Sequence, residues 1–122
     1  MRLKQYINKL WKPNQTKIKN QKVNNVTTIF GNGSQTSVNG PVSIATISYP
    51  LGISIHPITQ EVYIAERRGG NIRGWNRTSQ TVRTVISLGI GNPPYYLDFL
   101  NDGTLFFTAN LGFYKLFTNG KT

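Results

Sequence analysis

The chain has no cysteine, which excludes a disulfide framework and any cysteine-held zinc or redox centre. It has one histidine and four carboxylates in 122 residues. With His56 alone, no Ser-His-Asp set is assembled, and no catalytic residue is assigned. No apolar run approaches the roughly 20 residues needed to span a bilayer. The first residues also lack the unbroken apolar stretch of a secretory signal, because Lys and Gln interrupt it. The reading therefore leans to the cytoplasm without fixing a compartment.

Basic residues are present in excess, and they are unevenly placed. The formal net charge is +10. Residues 1–24 hold Arg2, Lys4, Lys9, Lys12, Lys17, Lys19 and Lys22 and no acid, or +7. Residues 25–122 hold seven basic residues against Glu61, Glu66, Asp98 and Asp102, or +3. The strongly basic part is an N-terminal arm. Within it Leu3, Ile7, Leu10 and Trp11 give a weak helical pattern over 1–12, which Pro13 stops. This segment reads as a basic amphipathic anchor for anionic membrane, as part of a transit peptide, or as a disordered start. A helix of about three turns is marginal alone, which favours the last. Residues 13–24 are polar and basic and read as a linker.

From residue 25 the pattern is all-β. Val26–Phe30 is β-branched and aromatic and runs into Gly31-Asn32-Gly33, so it reads as a strand entering a turn. A long Gly/Ser/Thr/Asn loop follows to residue 50. Short strands are then expected over 53–56, 61–65, 71–75 and 81–86, separated by tight turns. A second series follows over 95–99, 105–108 and 113–117. The two series repeat: residues 56–66 align without gaps on 100–110 at a constant offset of 44 (100 minus 56). The third strands match at 42 (114 minus 72). Val26–Ile29 resembles the fourth strand, Val82–Val85. A period of about 40–45 residues with several strands per unit is the pattern of a β-propeller blade. The expected architecture is an incomplete propeller of antiparallel four-stranded blades: a lone strand 26–30, a blade over 52–87 and a partial blade over 94–118. Such units cannot bury both faces alone, so further blades or further copies would be needed to close a ring.

The residues that carry this pattern resemble the NHL repeat family. The chain reads Tyr49-Pro50-Leu51-Gly52-Ile53-Ser54-Ile55, then Val62-Tyr63-Ile64-Ala65-Glu66, then Asn71-Ile72-Arg73-Gly74-Trp75. Val26-Thr27-Thr28-Ile29-Phe30-Gly31 is similar to the family's closing strand. The resemblance covers about residues 25–118. Two departures bear on the polar network that the family builds across blades. The acid after Ala is Glu66 in one unit and Asn110 in the other, and the basic residues of the following turn fall early, at Arg67-Arg68.

The resemblance implies a non-catalytic scaffold whose rim loops dock a protein partner, and no cofactor or metal is assigned. Some family-like propellers are lactonases or lyases with a metal in the central channel, so a fragment of such an enzyme is an alternative. His56 reads as a turn residue. Asp98 alternates with Leu97 and Phe99, but one acid makes no metal site. Asp102-Gly103 is a hairpin signal. Gly31-Asn32-Gly33 and Gly89-Ile90-Gly91 lack the Lys-Ser/Thr that phosphate loops require. The best binding candidates are Arg67, Arg68, Arg73 and Arg77 with Trp75, a set that would also suit RNA through stacking and phosphate contact. Arg67, Arg68 and Arg77 are the expected exposed contacts. Trp75, Phe113 and Phe117 are expected to pack between blades. Four Asn-x-Ser/Thr triplets are present, which an Asn-rich chain produces by chance.

Overall fold

A computed structural model of the chain describes residues 24–118. The arm over 1–12 and nearly all of the 13–24 linker lie outside the described residues. Among the described residues there is no helix. Eight strands run in chain order: β1 Gly40–Pro41, β2 Pro50–Ile55, β3 Val62–Glu66, β4 Asn71–Asn76, β5 Thr81–Ser87, β6 Pro94–Phe99, β7 Thr104–Ala109 and β8 Gly112–Phe117. They form two antiparallel sheets, one ordered β1-β5-β4-β3-β2 and the other β6-β7-β8. The first sheet has one strand more than the sequence suggests, because Gly40 and Pro41 bridge to Val82 and Thr81 at its outer edge.

The turns explain the meander. The hairpins of both sheets place a left-handed residue just before a strand resumes: Gln60, Gly70, Gln80 and Gly103 all have φ between 55° and 90°. Loops closed by such a residue suit the twist of antiparallel pairs. Gly70 is required on two counts. Its φ is +68°, and a Cβ would stand 2.2 Å from the Gly89 carbonyl oxygen.

Period-2 alternation sorts the side chains into faces. On one face of the first sheet Ser54, Tyr63, Gly74 and Arg83 lie opposite one another, as do Ala65, Ile72 and Ile86. This face packs on the face of the second sheet that carries Leu97, Phe107 and Tyr114, and Phe99, Leu105 and Leu116. Tyr63, Ile72, Leu105 and Phe107 are the buried centre. The Tyr63 and Phe99 rings meet edge-on at 4.9 Å. The closest approach is between the first strands of the two series. A Cβ on Gly52 would lie 2.4 Å from the Tyr95 carbonyl oxygen.

Strand registers correct the gapless repeat. Ile53 pairs with Ile64, and Leu97 with Phe107. The second hairpin is therefore one residue shorter, and β7 corresponds to β3 at an offset of 43 (107 minus 64). By the same reasoning β8 corresponds to β4 at 41 (114 minus 73). Because strand side chains alternate, each one-residue change reassigns faces. Ala109, not Asn110, stands at the place of Glu66, and Tyr114 stands at the place of Arg73. Trp75 corresponds to Leu116, and neither Phe113 nor Phe117 is its counterpart. Phe113 is 71% exposed rather than packed between sheets.

Residues 26–30 are also corrected. They carry no ladder pairing, Val26 is fully exposed, and Thr27, Ile29 and Phe30 run past Leu51, Ile53 and Ile64 around a hollow of about 350 Å³.

Candidate functional site

The four arginines read from the sequence as one basic cluster separate into three environments. Arg73 sits mid-strand on the second face of the first sheet, opposite Ile64 and Thr84. Its side chain is 0% exposed, as is that of Glu66, and the two form an ion pair at 2.7 Å. Arg73 is thus a buried structural residue and not a partner contact, which corrects its assignment to the binding surface. The loop over 31–49 is drawn onto this pair. Arg73 donates to the carbonyls of Thr46 at 2.9 Å and Val38 at 3.0 Å and to Asn39 Oδ1 at 2.8 Å. Glu66 accepts from Ser37 Oγ at 2.6 Å, Asn71 Nδ2 at 2.7 Å and the Ser48 amide at 2.9 Å. Buried charges persist only when paired and hydrogen-bonded, and this pair meets the condition except at Arg73 Nε, which is buried with no hydrogen-bond partner among the described residues. The polar network that the Glu66 and Asn110 departures bore on is therefore built in the first unit. In the second unit Ala109 and Tyr114 take the two places, and both pack against the core.

Arg77 lies on the β4–β5 turn, at the end of the sheet opposite Arg67 and Arg68. It is exposed and donates to Gln60 Oε1 at 3.1 Å. Trp75 is half-buried on β4 between Val62 and Val82, away from the arginine pair. Its indole N–H is buried with no hydrogen-bond partner among the described residues.

Arg67 and Arg68 do come together, on the β3–β4 turn. Glu66 is fixed in the interior, so the next two side chains are thrown onto the rim. Arg67 lies 5.8 Å from the Tyr95 ring centroid and Arg68 lies 5.4 Å from that of Tyr49. Arg68 also donates to Gln35 Oε1 at 2.6 Å, and Gln35 Nε2 donates to the Tyr49 hydroxyl at 3.2 Å. Tyr49 holds φ at +54° directly before a proline, a conformation that costs about 1–2 kcal/mol for an L residue. Its carbonyl accepts from the Arg67 amide at 3.0 Å, which fixes it there. Tyr49, Arg67, Arg68, Ile90 and Pro93 line a hollow of about 540 Å³. Tyr49 and Tyr95 were not legible as site residues, since Tyr95 reaches the rim only through the seating of the second sheet on the first.

Charge separates this rim from the rest of the surface. Among the described residues the ion pairs are Arg73–Glu66 and Arg83–Glu61. Arg83 grips Glu61 through Nε at 2.9 Å and Nη2 at 2.7 Å. That bond to the carboxylate raises the guanidinium's pKa, while burial of the Tyr63 phenol raises its own. Glu61 and Asp102 belong to turns at the opposite end, and Asp98 is exposed on the free face of the second sheet. No ion pair is formed by Arg67 or Arg68 among the described residues, so the rim is left cationic.

His56 is a buried turn residue, 1% exposed. Its Nδ1 accepts from the amides of Ile58 and Thr59, both at 3.2 Å. An accepting Nδ1 puts the proton on Nε2, which lies 2.8 Å from Thr118 Oγ1. Burial holds its pKa below the usual 6.5, against the pull of Glu61 and with the help of Arg83. Among the described residues no three of His, Asp or Glu gather so as to hold a metal. Nor is any helix there long and apolar enough to cross a membrane. No family model matches the chain, and no curated protein matches it.

Proposed function

We propose that the chain is a non-catalytic segment of an NHL-like propeller and that it presents the Arg67–Arg68 rim to an acidic segment of a protein partner. Two things support the radial reading. The sheets repeat the same meander, and they approach most closely at their first strands, where Gly52 leaves no room for a side chain. The observation that carries the docking reading is the rim itself. Two guanidiniums without a carboxylate partner among the described residues are steadied by tyrosine rings beside a hollow that Ile90 and Pro93 also line. A guanidinium fork binds carboxylate in two parallel hydrogen bonds, and a side chain already held in place loses less entropy on doing so. Ile90 and Pro93 offer apolar contact to residues flanking the acid.

RNA is the weaker fit. Strand-tracking sites combine a continuous basic groove with stacking aromatics, and here Arg73 is buried while Arg77 and Trp75 lie elsewhere. The test is titration of the full chain with a short peptide of alternating Glu and Leu and with a single-stranded RNA of equal length. Arg68→Glu should weaken peptide binding about tenfold or more, the scale of one charged hydrogen bond. Arg77→Glu, an equal change of charge that keeps the same basic arm, should leave it near wild type. Equal losses in the two variants, or tighter capture of RNA than of peptide, would sink the proposal.

A further inference from the structure

Among the described residues each sheet leaves part of one face uncovered, since the 31–49 loop covers the first sheet only around Arg73, and the two open parts are complementary by the chain's own repeat. The open part of the first sheet's face carries Ile53 and Ile55, 65% and 48% exposed, beside the half-buried Ile64 and the buried Val62. Their counterparts in the second sheet are Leu97, Phe99, Phe107 and Leu105, which form the face that packs against the first sheet. The free face of the second sheet carries Tyr96, Phe106 and Phe113. Phe106 and Phe113 are the counterparts of Tyr63 and Ile72, the buried residues on the packed face of the first sheet. The interface already present between the sheets is thus a pattern with one half left open at either end.

The edges are complementary as well. The first sheet has four long strands, whereas the second has three among the described residues, where β8 is paired on one side only. Residues 26–30 are the reverse: a fourth-strand sequence with no ladder of its own. They already lie along the open part of the first sheet's face, around the hollow with Ile53 and Ile64. A second sheet seated on that face would bring its β8 edge beside them.

We infer that the occupant of these faces is a second copy of this chain, docked head to tail, with residues 26–30 of one copy completing the second sheet of the other as its fourth strand. This rests on reading the two sheets as successive units, and does not depend on what the arginine rim binds. The contact is heterologous, so repeating it gives a ring if the rotation closes. Rings of about four to eight blades correspond to about two to four copies. Tyr96 and Phe113 on one copy and Ile53, Ile55, Val26 and Ile29 on the other supply exposed apolar side chains from both partners toward the roughly 1,000 Å² of total area expected of a specific interface. The existing pairing of Gly74 with Arg83 transfers to Lys115 with Thr27 across the copies.

The test starts from solution mass. The full chain should run as a discrete, concentration-dependent assembly at a multiple of 13.7 kDa. Val26→Asp and Phe113→Glu change exposed residues, so each should lower the mass to one chain while the β circular dichroism persists. The chain has no cysteine, so mixing a Thr27→Cys chain with a Lys115→Cys chain should give a mixed disulfide, and neither variant alone should cross-link as well. Arg68→Glu should leave the mass unchanged, which separates failure of this inference from failure of the rim reading. A wild-type chain that stays at single-chain mass overturns the inference, as does an assembly unaffected by Val26→Asp and Phe113→Glu. A mixture that forms no mixed disulfide overturns the strand register.

Discussion

Replacing Arg73 with Met tests whether the buried pair holds the 31–49 loop to the first sheet. The substitution keeps an unbranched chain of similar reach and removes only the guanidinium. Glu66, 0% exposed, is then left without its cation. Removing one member of a buried pair costs about 3–5 kcal/mol. Glu66 retains three donors, from Ser37, Asn71 and the Ser48 amide, which argues for the low end, about 3 kcal/mol. The carbonyls of Val38 and Thr46 lose a donor at the same time. Set against a total stability of about 5–15 kcal/mol, such a loss is large. The assay is urea unfolding followed by circular dichroism at fixed protein concentration, with amide exchange at Val38 and Ser48 as a local readout. Adding Glu66→Gln to Arg73→Met removes the uncompensated charge but keeps an acceptor, so it should recover about 1 kcal/mol or more. The reasoning is refuted if Arg73→Met stays within about 0.5 kcal/mol of wild type, the range of ordinary surface changes. It is also refuted if the double variant is no more stable than the single one.

Two further outcomes follow from the core. The folded pKa of His56 lies below 6.5, so its neutral form is favoured in the folded state. Below pH 6.5 the unfolded chain takes up the proton first, and stability falls with pH until the folded value is reached. Thermal unfolding from pH 8 to 5 should show this slope, and His56→Asn, which can still accept from the turn amides, should flatten it; an unchanged slope assigns it elsewhere. Gly52→Ala places a Cβ 2.4 Å from the Tyr95 carbonyl oxygen and 2.8 Å from the Tyr96 Cα. Both are backbone atoms, so the sheets must separate, at about 1–3 kcal/mol; a variant as stable as wild type in thermal unfolding would contradict so close an approach.

Much of the strand order was legible because it is local. β-branched and aromatic runs alternate at period 2, and Gly, Asn and Gln-closed turns separate them, so β2 to β8 fall near their expected places. Arg67, Arg68 and Arg77 are exposed as expected, but the burial of Arg73 was not legible, because the face a strand residue takes depends on register rather than on residue type. Arg73 looked like Arg67 and Arg68 in composition, yet it alone points under the 31–49 loop, where Glu66 compensates it. The repeat was misaligned by one residue for the same reason. Gly103 closes a shorter turn than Gln60 does, and a side-chain count along the strand cannot register that loss.

The sequence by itself determined an all-β meander, its turn positions, its basic arm and the absence of cysteine chemistry, since each depends on residues near in the chain. The tertiary structure alone decided which charges are spent inside and which remain on the rim, because that choice is made by partners such as Tyr49 with Arg68 and Tyr95 with Arg67. It also decided that Ile53 and Phe113 are left uncovered by the described residues of a single chain, since burial is a property of neighbouring sheets and not of a strand's own pattern.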